Sequence, residues 1–212
     1  MTAAPERTEP GARQDLVIEE TGWSTYAPFE DTFLAYGIII HNPNDAYAAE
    51  FYQLRITVRD TEGKVTGTET HYLGTIWPNE TISWGTDWLS VSETVASVDF
   101  ELLVDEYCWV DVAPDRAESI TPLEVINQSE NKKDWSLDIT GEIVNNNSFD
   151  VESSIISAIF RDGDGKIIGG AMTYVDIAPK NGGTAPFQIT VLYADIPYST
   201  VELYAQMDSI QD

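Results

Sequence analysis

The chain has 212 residues, of which 42% are hydrophobic and 11% aromatic, enough apolar material for one or two buried cores. Its 36 acidic and 11 basic residues give a net charge of −25, which would repel a phosphate backbone or an anionic membrane surface. Nucleic acid is therefore not an expected partner. The single cysteine, Cys108, excludes an intramolecular disulfide, and its aromatic neighbours predict a buried structural thiol.

The chain begins with a polar segment and continues into β-rich sequence. Residues 1–14 are rich in Ala, Pro, Glu and Arg and are predicted to be a disordered tether. A short strand is expected at residues 16–18, and the aromatic stretch at residues 23–29 is predicted to loop over one end of the first domain. Residues 33–41 form a clear strand pattern that ends at Asn42-Pro43-Asn44-Asp45, a strong turn signal.

Two hairpins with the same design follow in different halves of the chain. Residues 54–67, LRITVRDTEGKVTG, and residues 155–170, IISAIFRDGDGKIIGG, share an apolar run, an Arg-Asp pair and a Gly-Lys pair. Gly63 and Gly165 supply the positive φ that such tight turns require. The spacing of the two copies predicts that the chain contains an internal duplication.

Further matches occur in the same order along both halves. Gly37 matches Gly141, Pro78 matches Pro179 and the closing VDFEL of the first half matches VELYA in the second. These repeats predict an all-β protein made of two consecutive immunoglobulin-like antiparallel β-sandwiches. The expected boundaries are residues 15–112 for the first sandwich, 113–122 for a polar linker and 123–212 for the second sandwich.

The repeated pattern resembles a known group of domains. Gly-x-Ile/Val-x-Asn, an alternating strand, Asp-x-x-Gly-Lys-Ile/Val and a Pro-centred turn are similar to the FxLYD-type domains and to small β-sandwiches of the late-embryogenesis-abundant type. The resemblance covers most of both halves, although residues 56–60 and 158–162 keep only the Asp and the apolar alternation of the aromatic-x-Leu-Tyr-Asp element. It implies secreted or membrane-anchored bacterial proteins, including lipoproteins, with no catalytic residues to carry over.

The sequence offers few candidates for chemistry. Asp162-x-Asp164-Gly165 looks like the start of a calcium loop, but Lys166 and Thr173 stand where an EF-hand needs an oxygen ligand and a Glu. A plain hairpin turn is the better interpretation. His41 and His71 lack the close spacing of zinc ligands, and no Gly-x-Ser-x-Gly element is present. We therefore predict no catalytic residues, no metal site and no cofactor.

Aromatic residues give the candidate binding residues. Trp77, Trp84 and Trp88 cluster in the first half, and the second half has Ala178 opposite Trp77 and Phe187 opposite Trp84. A position that stays large in both copies is predicted to be core, which assigns Trp84 to the core. The others suit either core or edge packing or a platform that stacks on sugar rings. The candidate binding residues are Trp23, Tyr26, Trp77 and Trp88.

These observations predict a non-catalytic tandem β-sandwich module, secreted or anchored at a cell surface. Its expected roles are adhesion, protein or glycan recognition, or spacing. The alternative is an intracellular stress-protective or scaffold protein, and a hydrolase is less favoured because no pocket motif is present. No segment approaches the length of a membrane span. If Met1 is the native start, a cytoplasmic location is expected instead.

Overall fold

The computed structural model describes residues 12–27, 32–91, 94–192 and 197–210, with the side chains of residues 87–88 and 209–210 excepted. Regular structure in that part of the chain is almost entirely β-strand, so the predicted all-β class is confirmed. The elements in chain order are β1 (Val17–Tyr26), β2 (Thr32–His41), β3 (Tyr47–Ala49), β4 (Gln53–Arg59), β5 (Val65–Tyr72), β6 (Thr81–Val91), β7 (Ser97–Leu103), a 3-10 turn η1 (Glu106–Cys108), β8 (Trp109–Asp111), α1 (Pro114–Ser119), β9 (Glu124–Lys132), β10 (Ser136–Asn145), β11 (Val151–Arg161), β12 (Ile167–Ala178), β13 (Gly183–Leu192) and β14 (Thr200–Ile210).

Each half of the chain forms a β-sandwich with the same strand order. The first half pairs β1-β2-β6 in one sheet and β5-β4-β7 in the other, while the second half pairs β9-β10-β13 and β12-β11-β14. All of these pairings are antiparallel. Both sheets of each half contribute to its own apolar core. The shared order is what the predicted duplication would produce, and a β3-β8 pair is added in the first half.

The two repeated hairpins close in the predicted way. The Asp60 carboxylate accepts hydrogen bonds from two backbone amides of its turn at 2.9 and 3.0 Å, and Gly63 has φ of 80°. The Asp162 carboxylate does the same at 2.9 Å to each of two amides, and Gly165 has φ of 81°. The turn itself uses one oxygen of each carboxylate, as the hairpin-turn interpretation of Asp162 predicts.

A buried asparagine pair ties together the turns of each sandwich. Asn42 Nδ2 donates to three backbone carbonyls at 2.8–3.2 Å, and its Oδ1 accepts from the backbone and side chain of Asn44. Asn145 Nδ2 donates to two carbonyls at 2.9 Å, and its Oδ1 accepts from Asn147 in the same way. All four side chains are buried, so their polar groups must be satisfied inside the protein. The predicted turns are therefore also hydrogen-bonding centres.

The second asparagine of each pair holds the chain that enters the sandwich. The Asn44 amide exchanges hydrogen bonds with the backbone N–H and C=O of Gln14 at 2.7 and 2.8 Å. The Asn147 amide makes the same exchange with Thr121, at 2.7 and 2.8 Å. Gln14 is thus bound, although the tether prediction included it, whereas residues 1–11 lie outside the described part of the chain.

Two predicted irregular segments are in fact regular. Trp23 and Tyr26 were expected in a loop but belong to β1, which extends well beyond the three residues predicted. Residues 28–29, the rest of that stretch, lie outside the described residues. The predicted linker contains α1, which begins with Pro114 at a position where its missing N–H costs nothing. The sequence pattern did not indicate α1 because this helix has only six residues. It did not indicate the full length of β1 because polar residues interrupt the apolar pattern of that strand.

Equivalent positions differ by one residue from three of the sequence matches. The shared hydrogen bonds of Asn42 and Asn145 place Ile38, not Gly37, opposite Gly141. The Gly141 Cα faces the core, where a Cβ would lie 2.7 Å from the Phe187 ring. Similarly, the pairing of Ala49 with Ile76 corresponds to that of Val151 with Ala178. Ala178 therefore matches Ile76 and not Trp77, and by the same offset Pro179 matches Trp77 and not Pro78.

The two sandwiches pack on each other through the β1-β2-β6 and β12-β11-β14 sheets. β2 and β11 are consequently buried along nearly their whole lengths. A row of glycines crosses the first of these sheets, because Gly22 pairs with Gly37 and Gly37 pairs with Gly85. An added Cβ would meet backbone atoms of β12 at every position of the row: the Ile167 carbonyl at Gly22, the Gly169 oxygen at 2.9 Å from Gly37, and the Gly170 Cα at 2.7 Å from Gly85.

These contacts also define how the sheets are oriented. The contact point moves forward along β12, from Ile167 to Gly170, as it moves across the sheet from Gly22 to Gly85. β12 therefore crosses the three strands instead of running alongside them, an arrangement of the orthogonal type. Glycine allows the backbones to touch, whereas ordinary sheets with side chains between them lie about 10 Å apart.

Polar groups complete the interface between the sandwiches. The Ser83 and Ser157 hydroxyls lie 2.6 Å apart and are buried. Arg161 donates to both carboxylate oxygens of Glu20 at 2.6 and 2.9 Å and forms an ion pair with Glu202 at 2.8 Å. Hydrogen bonds to these carboxylates raise the pKa of Arg161 above its usual value. The two halves are therefore joined by specific contacts as well as by apolar packing.

Candidate functional site

The structure describes the side chains of three of the four residues predicted to bind a ligand. Trp23 is half-buried against the first core, and Tyr26 and Trp77 are half-buried against the second. Tyr26 pairs with Phe33 at one end of β2, while Trp77 lies just before β6 begins, next to the other end. Trp88 lies in β6, and its side chain is outside the described part of the structure. Trp84 is buried, as predicted.

The two histidines have different partners in different parts of the first sandwich. His41 Nδ1 lies 3.0 Å from the Thr81 hydroxyl, and His71 Nε2 lies 3.0 Å from a Glu69 carboxylate oxygen. Cys108 is buried in the first core, as predicted. Among the described residues, no group of three or more His, Cys, Asp or Glu side chains is placed to hold a metal ion.

One carboxyl group has an unusual environment. Glu80 is half-buried as a residue, but burial of its carboxyl group raises the pKa to about 8, opposed by a 2.8 Å hydrogen bond from the Trp77 backbone N–H. It precedes Thr81, the partner of His41. Two surface cavities of the described chain lie elsewhere, at the Asp60 hairpin turn and between β9 and β14. Glu80 is therefore part of a turn and does not face either cavity.

A cluster of exposed aromatic residues lies at one end of the first sandwich. Phe51, Tyr72 and Tyr107 are 73%, 68% and 78% exposed. Their chain neighbours are joined by backbone hydrogen bonds: Leu73 N–H donates to the Tyr52 carbonyl at 2.9 Å, and Glu50 N–H donates to the Cys108 carbonyl at 2.8 Å. Phe51 lies between these two bonds, so the three rings belong to one region of the surface. We call Phe51, Tyr72 and Tyr107 the aromatic cluster.

Phe51 occupies a strained backbone conformation. Its φ of 53° lies in the left-handed region, which a bulky side chain rarely adopts. The residue sits in the break between β3 and β4, and its neighbours are held by the bonds just described. In the second sandwich the corresponding strand, β11, continues through this point and shows only a shift in its register against β14. Strain of this kind is concentrated at functional sites, because folding alone would favour its removal.

Tyr107 is carried by a segment that only the first sandwich contains. The edge strand β7 ends at Leu103, η1 follows, and the chain resumes pairing as β8. The corresponding strand of the second sandwich, β14, is uninterrupted. A hydrogen bond from the Tyr107 hydroxyl to Asp105 raises the pKa of the tyrosine. The insertion therefore presents an aromatic ring and a carboxylate side by side.

An arginine of the chain itself occupies the neighbouring surface. The Arg13 guanidinium lies 5.1 Å from the centre of the Trp109 ring and donates to both carboxylate oxygens of Glu106 at 2.8 and 2.9 Å. This contact lowers the pKa of Glu106. The hydrogen bond from Arg13 contributes most, and the positive charge of Arg13 adds to it. An aromatic face and a carboxylate together form a good receptor for a guanidinium group.

This region is hard to recognise in the sequence for identifiable reasons. Phe51 precedes the alternating residues of β4 and by its apolar character suits the inward face, but its left-handed conformation turns the side chain outward. Tyr107 carried no signal in the sequence pattern, because only the fold shows that η1 separates β7 from β8.

Fold and surface together define an all-β protein of two packed β-sandwiches with an exposed aromatic cluster on the first. No protein-family model matches the chain, and a search of curated proteins finds no match. None of the helices in the described residues has the length and apolar character needed to cross a membrane.

Proposed function

We propose that this chain is a non-catalytic recognition module whose aromatic cluster binds a protein or a glycan. The observation that carries the proposal is the 73% exposure of Phe51 in a left-handed backbone conformation. A phenylalanine in that position gains neither packing nor favourable backbone geometry in the free protein. Binding to another molecule would supply the missing burial.

The location of the cluster supports the same proposal. Phe51 and Tyr107 lie on departures from the plain sandwich that the second half lacks, namely the β3-β4 break and the η1 insertion. Loops and irregular segments on a rigid β-scaffold commonly carry binding residues. The first half is therefore the binding half. The resemblance to FxLYD-type domains favours a secreted or surface-anchored setting for this role.

A pure spacer or an intracellular scaffold is the alternative, and a ligand screen separates them. Wild-type protein and the double variant Tyr72→Ser/Tyr107→Ser should be applied to a glycan array and to a peptide array. We expect ligands that the wild type binds and the double variant loses. Both residues are largely exposed, so the variant should keep its melting temperature within about 2 °C, corresponding to less than about 0.5 kcal/mol.

The second sandwich provides a matched control. Tyr174 stands at the position equivalent to Tyr72 and is 59% exposed. Tyr174→Ser should therefore keep all binding that depends on the aromatic cluster. Signals from neither array, or signals that the double variant retains, would contradict the proposal and leave the spacer role.

A further inference from the structure

The geometry points to an arginine-containing basic segment of a partner protein as the ligand of the aromatic cluster. This inference rests on the proposed recognition function and specifies its ligand. Three features carry it: the guanidinium already bound beside the cluster, the carboxylates around it, and the charge of the whole chain.

The bound guanidinium is that of Arg13. It is held between the Trp109 ring and the Glu106 carboxylate, so this surface already satisfies both the planar face and the donors of an arginine side chain. Tyr107 lies between the two receptor residues in the sequence and remains 78% exposed. The adjoining rings therefore offer the same kind of contact to a second cation supplied by a partner.

Two carboxylates lie beside the rings, and Arg13 pairs with one of them. Asp105 is exposed and accepts a hydrogen bond from the Tyr107 hydroxyl, while Glu106 is paired with Arg13. The chain as a whole has 36 acidic and only 11 basic residues. A basic partner would be attracted over long distances by this charge and bound at short range by the rings.

A neutral glycan fits these features less well. It would stack on the rings, but it would gain nothing from the net charge of −25 or from the carboxylates beside the rings. A basic segment uses the rings through cation–π contacts and the carboxylates through charge-assisted hydrogen bonds. The guanidinium is preferred over the ammonium of lysine because it can stack and donate at the same time.

The test uses fluorescence anisotropy with a labelled Arg-Gly repeat peptide. Lys-Gly and Gln-Gly repeats of the same length are the comparison probes, and salt is varied from about 50 to about 300 mM NaCl. We expect affinity to fall in the order Arg, Lys, Gln. Tyr107→Ser and Tyr72→Ser should each weaken Arg-Gly binding about tenfold, and Asp105→Asn about threefold.

Matched variants in the second sandwich separate a specific site from diffuse attraction. Tyr174→Ser and Asp176→Asn remove an exposed ring and an exposed charge there, and should change affinity less than about twofold. If they weaken binding as much as the changes at the aromatic cluster, the effect is general electrostatics and the inference is wrong.

Arg13 provides a test with the opposite sign. Arg13→Ala vacates the Trp109 and Glu106 surface, so a basic peptide can extend onto it and should bind about threefold more tightly. Arg116→Ala removes the same charge from a cation–π contact with Phe149 in the second half, and should leave affinity unchanged. Equal effects of the two variants would contradict the inference.

The outcomes also distinguish this inference from the proposed function. Binding of a glycan or a neutral peptide that depends on Tyr72 and Tyr107, with no preference for Arg-Gly over Gln-Gly, would preserve the recognition function and overturn the basic ligand. The absence of any ligand that depends on the aromatic cluster would overturn both.

Discussion

The two sandwiches share a strand order but expose opposite sheets. In the first half the β1-β2-β6 sheet is covered by the other sandwich, and in the second half the equivalent β9-β10-β13 sheet is uncovered. The outward residues differ accordingly. β2 presents Ala35, Gly37 and Ile39, whereas the equivalent positions of β10 carry Asp138, Thr140 and Glu142.

The other pair of sheets shows the reverse pattern. β11 is covered and β4 is not, so β11 presents a small and an apolar residue where β4 presents Arg55 and Thr57, while the last outward position is an arginine in both strands. What packs against a face, and not the strand order, decides whether it is polar. The outward residues are Arg55, Thr57 and Arg59 on β4, against Ser157, Ile159 and Arg161 on β11.

The largest expected effect comes from filling the contact between the halves. In Gly85→Ala the new methyl group would lie 2.7 Å from the Gly170 Cα, a backbone atom that cannot move aside without separating the sheets. We expect a loss of about 3 kcal/mol in the free energy of unfolding, measured by urea denaturation. The control is Gly67→Ala on the uncovered sheet, where the nearest atom is 3.8 Å away in Val58. A destabilised control and an unaffected Gly85→Ala would contradict this account.

A second comparison concerns the turn before the last strand of the β1-β2-β6 sheet. In the first half Glu80 follows the left-handed residue Asn79. In the second half Gly182 follows the equivalent left-handed residue Asn181. In the folded protein the pKa of Glu80 is about 8, above the ordinary value of 4.5, because the carboxyl group is buried. Stability from the protonated Glu80 is therefore complete below about pH 4.5 and is lost as pH rises through about 8.

Removing this carboxyl group tests that pH dependence. The amide introduced by Glu80→Gln keeps an oxygen that can accept the Trp77 N–H but cannot ionise, so the variant should not share the loss. Between pH 6 and pH 8 we expect the wild type to lose about 2 kcal/mol relative to the variant, followed by urea denaturation at each pH. Parallel pH profiles for the two proteins would show that Glu80 ionises normally.

The smallest expected effect compares two equivalent arginines. Arg161 is 13% exposed and pairs with Glu20 across the interface, whereas Arg59 is 39% exposed and pairs with Asp99 on the uncovered sheet at 2.9 Å. Arg161→Met should cost about 1 kcal/mol, because the partly exposed carboxylates of Glu20 and Glu202 lose their cation. Arg59→Met should cost less than about 0.5 kcal/mol. Thermal melts of both variants in low and high salt would measure these losses of stability. Equal losses would mean that burial in the interface does not strengthen the Arg161–Glu20 ion pair.

Local chemistry made much of the fold predictable from the sequence. The hairpins at Gly63 and Gly165 require a positive φ, and the alternation of apolar residues in β4 assigns one face to the core. Trp84 was recognisable as core because its counterpart Phe187 is also large and buried. Each of these inferences depends only on neighbours along the chain or on comparison of the two halves.

Tertiary structure alone decided the interface and the candidate binding surface. Gly22, Gly37 and Gly85 form a row only when three strands are paired, and they need to be glycine only because another sheet crosses them. The outward position of Phe51 likewise depends on hydrogen bonds that its neighbours make to Leu73 and Cys108, far away in the sequence. Residue spacing determines turns and the alternation of strand residues. The glycine row and the outward position of Phe51 depend on contacts between segments that are far apart in the chain, so they exist only after those segments have packed.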